Sequence, residues 1–221
     1  MKKRLKKGLE SLGISTVNDK ILEQEVLFVE ELLRWNKKIN LTAITAADEV
    51  IEKHLLDSLA LMPMLQNKKT ILDIGSGAGL PVIPLAIAMP EEHFISIDSV
   101  GKKTNFQQHV KRLLGLTNLE IMCARIENIC LREAGWEGVD VVVARAVGRL
   151  DFLLKVALPI LKPGGTMIAM KGPEGEGELQ ELDRQWQKVY HLPHHATSYQ
   201  LPFSGAQRSL IEIIKIPLQN S

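Results

Sequence analysis

The chain has 221 residues, of which 45% are hydrophobic and 24% charged, and its formal net charge is +1. These proportions are typical of a globular protein and exclude collagen-like, disordered and coiled-coil chains. No apolar run reaches the roughly 20 residues that a membrane-spanning helix needs. The basic start, MKKRLKKG, lacks the apolar stretch of a secretory signal. We therefore expect a soluble protein, and because only two cysteines are present, neither a disulfide framework nor a zinc site.

Basic residues are concentrated in two segments although the total charge is balanced. Five of the first seven residues are Lys or Arg, and residues 102–112 hold four more without an acidic residue among them. Local clusters of this kind can contact phosphates. They can equally be a solvated tail and a solvated helix face.

About the first 65 residues are predicted to be helical. Residues 19–39 carry apolar side chains at intervals of three and four, as in an amphipathic helix, and residues 47–61 are predicted to form a second helix. We therefore divide the chain into an N-terminal helical extension, 1–66, and a second domain, 67–221.

The pattern changes near residue 70 to short apolar strands that alternate with helices. The predicted strands are 70–75, 93–98, 119–124, 139–146 and 166–172. The predicted helices are 81–89, 101–114, a weaker one at 126–134, and 150–161. Such alternation predicts an α/β fold with a parallel sheet covered on both faces.

The last part of the chain breaks this alternation. Residues 194–202 and 209–216 are strand-like and are separated by a loop too short for a helix, so they should pair as an antiparallel hairpin. The sheet then has seven strands, five of them parallel. This Rossmann-like layout resembles that of the class I methyltransferases. We expect residues 172–178, GPEGEGE, to be a mobile loop after the fifth strand.

A glycine-rich turn follows the first predicted strand. In ILDIGSGAGL, residues 71–80, glycines stand at positions 75, 77 and 79, before a predicted helix. Glycines allow a sharp turn and a close approach to a ligand, and the helix start offers free N–H groups. A nicotinamide-dinucleotide fingerprint, G-x-G-x-x-G, would need a third glycine where Leu80 stands. The pattern with Asp73, D-x-G-x-G-x-G, instead resembles the S-adenosylmethionine loop, in which the acid orients the turn and the amino-acid end of the ligand.

The second predicted strand ends at Asp98, 23 residues after Gly75. A carboxylate at this place can accept hydrogen bonds from both ribose hydroxyls of a nucleoside. The alternative is a tight structural turn with an unrelated, solvent-facing aspartate.

Seven short segments together resemble one known family. They are WNKKINLT (35–42), HLLDS (54–58), DIGSGAGLP (73–81), DSVGKK (98–103), ARIE (124–127), ARA (144–146) and KG (171–172). The family is that of the small-subunit ribosomal RNA guanine-N7 methyltransferases, also called glucose-inhibited division protein B. The glycine loop is common to many methyltransferases, whereas the first two segments are more diagnostic.

The resemblance implies two groups of functional residues. The group that would hold S-adenosylmethionine is Asp73, Gly75, Gly77, Leu80, Asp98, Ile126, Glu127 and Arg145. In it the glycine loop would line the methionine end, Asp98 the ribose, and Ile126 and Glu127 the adenine. The catalytic group, around the target base, is Arg125, Arg145, Lys171 and Arg208. His54 and Asp57 share a helix face and are interpreted as a structural hydrogen bond rather than a metal site.

Two positions depart from the family pattern. Val82 stands where a small residue is expected, and Arg149 is an extra arginine after the fourth strand. Both would lie near the target cleft, so they put fine contacts with the substrate in doubt.

The chemistry of N7 methylation fits these residues. Guanine N7 has an in-plane lone pair and no proton, so catalysis is mainly positioning and electrostatics. The motifs typical of cytosine-C5 and exocyclic-amine methylation are missing from the sequence. An arginine that donated to N7 would block the lone pair, so we expect Arg125 and Arg145 to orient O6, a phosphate or the cofactor carboxylate.

The sequence thus predicts a cytoplasmic, monomeric enzyme that methylates a guanine N7 of small-subunit ribosomal RNA, without a metal or a membrane partner. Three alternatives stay open. The same cofactor could serve another RNA position, a small molecule or a protein. The chain could be a nicotinamide oxidoreductase, which Leu80 disfavours, or a non-catalytic RNA-binding module, which the retained glycines, Asp73 and Asp98 disfavour.

Overall fold

The computed structural model describes residues 1–129, 136–186 and 192–216. The chain begins with α1 (Lys2–Ser11), α2 (Asp19–Ile39), α3 (Ala47–Val50), a π-helical segment (Ile51–Leu56), α4 (Asp57–Leu59) and α5 (Met62–Leu65). This confirms the helical start. The basic N-terminus is not a solvated tail, because α1 buries Leu5 and Leu9.

Seven strands form one sheet in the order β3-β2-β1-β4-β5-β7-β6. They are β1 (Thr70–Ile74), β2 (His93–Asp98), β3 (Leu119–Cys123), β4 (Val139–Arg145), β5 (Leu161–Lys171), β6 (His194–Gln200) and β7 (Gln207–Ile214). The first five are parallel, and β7 pairs antiparallel with both β5 and β6. The predicted sheet with its terminal hairpin is confirmed. β5 begins earlier than predicted, because Leu161 already pairs with Val139 before an irregular stretch.

Four further helices cover the sheet: α6 (Val82–Ala88), α7 (Gly101–Leu114), α8 (Leu150–Ala157) and α9 (Gly175–Trp186). The prediction of a mobile loop at 172–178 is wrong for residues 175–178, because they form the start of α9. Two acidic residues in the first turn favour a helix N-terminus, and Leu179 and Leu182 are buried. The helix predicted at 126–134 is a 3-10 turn, Ile126–Asn128, and residues 130–135 lie outside the described part of the chain.

Two cores lie on opposite faces of the sheet because side chains alternate along each strand. In β1, Ile71 faces the core that contains α1–α7, and Leu72 faces the core that contains α8 and α9. The helical extension therefore packs into the same core as one face of the sheet. A separate domain boundary at residue 66 stays a prediction. Within the described ranges, no helix is long and apolar enough to cross a membrane.

The parallel strands bring the functional segments to one edge. Asp98, Arg145 and Lys171 are the last residues of β2, β4 and β5, and the glycine turn follows β1. In open α/β sheets, ligands bind outside the carboxyl ends of the strands.

Candidate active site

The glycine turn has a backbone that side chains disfavour. Gly75, Gly77 and Gly79 have φ values of +66°, +58° and +80°, in the left-handed region that glycine adopts readily. The N–H groups of Gly75 and Ser76 both donate to the carbonyl of Ile97, at 2.8 and 3.1 Å. The turn is thereby attached to β2, beside Asp98.

A buried polar network supports the turn from beneath. Gln107, on α7, donates through Nε2 to the Gly77 carbonyl at 2.8 Å and to Ser76 Oγ at 3.1 Å. Ser96, on β2, donates to Gln107 Oε1 at 2.5 Å. All three side chains are buried. The sequence analysis missed this network, although a glutamine among the inward-facing positions of α7 could have indicated it.

Asp98 is held by the turn that it faces. Its Oδ2 accepts the Gly77 N–H at 2.8 Å, and its Oδ1 accepts the Val100 N–H at 2.8 Å. A carboxylate has about four lone-pair sites, so it can still accept two hydroxyl groups.

A cavity of about 220 Å³ opens beside Asp98. Its lining includes Gly75, Asp98, Arg125, Ile126 and Glu127. The structure therefore brings together the residues predicted for ribose and adenine. Arg125 lines this cavity and does not line the cleft of the other three predicted catalytic residues.

Asp73 is a fully buried carboxyl group near the end of β1, and no donor has the distance and angle of a full hydrogen bond to either oxygen. Burial raises its pKa well above the usual value, which the nearby charge of Arg145 and the backbone N–H of Val82 partly offset. A buried carboxyl group with so little hydrogen bonding is unfavourable unless a ligand supplies further donors. A cationic ammonium group, such as that of the methionine end of S-adenosylmethionine, would be a fitting partner, although Asp73 is not among the residues that line the cleft or either cavity.

A second cavity, of about 210 Å³, lies between the glycine turn and the helical extension. Gly77 and Leu80 line one side, His54 lines the other, and Arg145 and Lys103 complete it. It lies next to the first cavity, since both are lined by Gly75.

The largest of these spaces is a cleft of about 500 Å³. Its lining includes Arg145, Lys171 and Arg208, and Arg145 also lines the second cavity. His54 likewise faces both spaces. The cleft and the two cavities are thus neighbours along one edge of the sheet.

Asp57 connects three elements at this cleft. Its Oδ2 lies 3.3 Å from Arg145 Nη1, and its Oδ1 accepts hydrogen bonds from Arg208 Nε at 3.1 Å and from the Tyr199 hydroxyl at 2.8 Å. The side chain is only 6% exposed. The interpretation of Asp57 as a hydrogen-bonding residue omitted these partners, because only the fold brings β4, β6 and β7 to α4.

His54 is a neutral side chain beside Arg145. Burial and the charge of Arg145 lower its pKa to about 4. Its Nδ1 lies 3.0 Å from the Lys53 carbonyl and 3.3 Å from Arg145 Nη2, and its Nε2 lies 2.7 Å from Thr42 Oγ1. Because a carbonyl only accepts, we assign the ring proton to Nδ1, so that the Thr42 hydroxyl donates to Nε2.

The ammonium of Lys171 is engaged within the protein. Its Nζ lies 2.9 Å from Glu178 Oε2 and 2.8 Å from the Gly148 carbonyl, and the two side chains are 10% and 12% exposed. Glu178 also accepts the N–H of Leu150 at the start of α8. The structure therefore shows Lys171 as a link between β5, α8 and α9, which the prediction of a catalytic residue at the target cleft did not include.

The two positions that depart from the family pattern lie outside the lining of the cleft and both cavities. Val82 is fully buried. Arg149 is exposed and pairs with Glu181 at 2.7 Å. That these two residues alter fine contacts with the substrate stays a prediction.

Comparisons with solved structures identify the fold. The O-methyltransferase of Bacillus cereus in complex with SAH covers 97% of this chain and 100% of its own, with a TM-score of 0.64 and 15% identity. An rRNA methylase of Streptococcus thermophilus covers 71% and 92%, with a TM-score of 0.51 and 18% identity. The chain therefore has the class I methyltransferase fold.

Sequence comparisons are more specific. The model of the family described as rRNA small subunit methyltransferase G, GidB, matches residues 21–211. A protein of Syntrophotalea carbinolica named ribosomal RNA small subunit methyltransferase G is 43% identical, over 98% of this chain and 99% of its own length. A protein of the same name from Bacillus cereus is 37% identical, over 94% and 87%. The chain therefore belongs to the family of small-subunit ribosomal RNA methyltransferases G.

Proposed function

We propose that this protein transfers a methyl group from S-adenosylmethionine to N7 of a specific guanine in small-subunit ribosomal RNA. The observation that carries the proposal is the position of Arg145, which lines both the cavity at the glycine turn and the large cleft. A donor bound in the cavity at the glycine turn and a base bound in the large cleft would meet at this residue. The family relationship supports ribosomal RNA as the substrate.

The residues of the turn fit each part of the donor. Asp73 offers a buried carboxyl group beneath the turn for the methionine ammonium, and Asp98 offers free lone pairs for the ribose. Ile126 and Glu127 line the adenine end of the first cavity. When bound, the donor supplies a methyl group on a sulfonium sulfur, and N7 takes it while the sulfur leaves as a neutral thioether.

The two carboxylates that line the cleft, Asp57 and Glu174, both accept hydrogen bonds from the protein itself, and N7 methylation needs no proton acceptor. His54, with a pKa lowered to about 4, binds protons weakly at neutral pH. Burial and Asp57 raise the pKa of Tyr199, so its hydroxyl keeps its proton. Methylation of an exocyclic amine or a ribose hydroxyl would need a proton removed.

Basic side chains outside the cleft could extend the RNA surface. Lys3, Lys6 and Lys7 are exposed on α1, and Lys102 and Arg112 are exposed on α7. Phosphate contacts from such residues make RNA binding weaken steeply with salt. We further propose a monomer that acts in the cytoplasm.

The test is methyl transfer from radiolabelled S-adenosylmethionine to unmodified small ribosomal subunits, followed by identification of the labelled nucleoside. We expect label in 7-methylguanosine at a single site. Label in another nucleoside would contradict the N7 assignment. No label, from protein that S-adenosylhomocysteine stabilises against heat, would point to a substrate other than this RNA.

A further inference from the structure

We propose that Asp57 is a positioning residue whose negative charge balances Arg145 and Arg208, so that their cationic groups do not oppose the positive charge that the target base acquires. The inference rests on the proposed function, because only methylation at a ring nitrogen such as N7 makes the base cationic.

The contacts of Asp57 fix both arginines at once. Arg145 reaches it from the end of β4 and Arg208 from β7, at 3.3 and 3.1 Å. Tyr199 donates a third hydrogen bond from β6. A carboxylate with three donors and almost no exposure has one orientation, and it holds each guanidinium by one of its nitrogen atoms.

The other cations of the cleft have carboxylates of their own. Lys53 pairs with Glu49 at 2.5 Å, and Lys171 pairs with Glu178 at 2.9 Å. Arg145 and Arg208, in contrast, share Asp57. Glu174, the other carboxylate of the lining, is exposed and accepts the Gly172 N–H at 3.2 Å. Among the residues that the structure describes, Asp57 is the carboxylate that pairs with both arginines, whereas Asp73, which also lies near Arg145, has a raised pKa.

The charge of the base changes during the reaction. The N7 lone pair forms the new N–C bond, the electrons of the broken C–S bond stay on sulfur, and no proton moves. The positive charge of the sulfonium thereby passes to the purine. Uncompensated guanidinium groups next to the cleft would raise the energy of this cationic state, whereas arginines neutralised by Asp57 can still donate to O6 or a phosphate.

Removing the charge of Asp57 should therefore lower kcat without raising the KM for RNA. Because the positive charge moves from the sulfonium to the base, only the difference between its two distances from Asp57 counts. For distances of about 10 and 6 Å and an effective dielectric constant near 20, that difference changes the rate roughly two- to sevenfold. For Asp57→Asn we expect kcat to fall by about that factor. The KM for RNA should stay unchanged or decrease, because the uncovered cations attract phosphates.

The experiment measures kcat, KM for ribosomal subunits, RNA affinity at several salt concentrations, and thermal stabilisation by S-adenosylhomocysteine. Tyr199→Phe is the matched control, because it removes a hydrogen bond from the same carboxylate without changing charge. It should lower kcat much less than Asp57→Asn. Retained stabilisation by S-adenosylhomocysteine would show that the donor site of each variant is intact.

Arg208→Gln supplies the complementary test, because it removes a cation instead of the anion. This test can be made even if Asp57→Asn does not fold. The substitution removes one of the two cations that share Asp57, so we expect a higher KM for RNA and a smaller fall in kcat than in Asp57→Asn. A fall in kcat with KM unchanged in Arg208→Gln would overturn the proposal. The proposal would also be overturned if Asp57→Asn lost RNA affinity or kept the kcat of the wild type.

These outcomes are distinct from failure of the proposed function. If the wild-type protein labels a nucleoside that stays neutral on methylation, both proposals are wrong. If it forms 7-methylguanosine but Asp57→Asn does not lower kcat, only the role of Asp57 is wrong.

Discussion

A Cβ atom on Gly75 would lie 2.6 Å from Cγ2 of Val147, so the turn after β1 and the loop after β4 are in close contact. Both residues line the cavity beside Asp98. Glycine is therefore required at position 75 for two reasons. Val147 leaves no room for a side chain, and side chains disfavour a φ of +66°.

Gly75→Ala should abolish measurable binding of S-adenosylhomocysteine, because the loop carrying Val147 must move into or away from the cavity. The matched control is Gly115→Ala, which has the same φ of +66° but no atom within 4 Å of the added Cβ. Both variants should lose about 1–2 kcal/mol of stability from backbone strain. Thermal shift with and without S-adenosylhomocysteine measures both effects, and equal ligand binding by the two variants would contradict the prediction.

Asp73→Asn should stabilise the ligand-free protein at neutral pH and weaken S-adenosylhomocysteine binding. The folded-state pKa of Asp73 is raised, so its ionisation opposes folding as pH rises above the unfolded value of about 3.9. Removing the buried ionisable group should stabilise the ligand-free protein at pH 7 by about 1–3 kcal/mol, which raises Tm by roughly 2–4 °C for each kcal/mol.

The measurement for Asp73→Asn is Tm from pH 4 to pH 8, with and without S-adenosylhomocysteine. The Tm of the variant should exceed that of the wild type by an amount that grows with pH and disappears near pH 4. A variant that is less stable at pH 7.5, or that binds the ligand as the wild type does, would show that Asp73 has partners within the folded chain.

Glu25→Gln should stabilise the protein at neutral pH without affecting ligand binding. Glu25 is fully buried on α2, neither oxygen has a hydrogen-bond partner, and burial raises its pKa well above the usual value. The wild type should therefore lose stability as pH rises above about 4.3, the unfolded pKa. Tm against pH checks this: the difference should vanish at pH 4, and stabilisation by S-adenosylhomocysteine should be unchanged.

Lys171 and Glu178 should be coupled in stability. Because both are nearly buried, Lys171→Met and Glu178→Gln should each destabilise the protein, and the double variant should lose less than their sum. A coupling of about 0.5–3 kcal/mol is expected for contacting residues. Urea unfolding of the four proteins measures it.

RNA affinity separates the two roles of Lys171. If its ammonium only links β5 to α8 and α9, the salt dependence of RNA binding should be the same in the wild type and in Lys171→Met. A slope reduced by about 0.7 to 0.9 would instead show a phosphate contact, as the sequence-based role in the cleft requires.

The local patterns of the chain were sufficient for much of the fold and of the donor site. Apolar strands alternating with helices predict a parallel sheet, and glycines at 75, 77 and 79 with Asp98 at a strand end predict a nucleoside site. These features depend on residues close in sequence or on a rule of parallel sheets, so they can be inferred without coordinates. The helix at 175–186 was missed, because its glycine-rich start resembles a loop.

The sequence by itself determined the alternation of strands and helices, the terminal hairpin, the glycine turn and the family, since each depends on spacing along the chain. Only the tertiary structure decided which charged side chains are paired with one another inside the protein. Asp57 is shared by Arg145 and Arg208, which are 88 and 151 residues away, and Lys171 is engaged by Glu178 on a helix that the sequence analysis missed. The physical reason is that a charged group acts through the partners within a few ångströms of it, and long-range packing selects those partners.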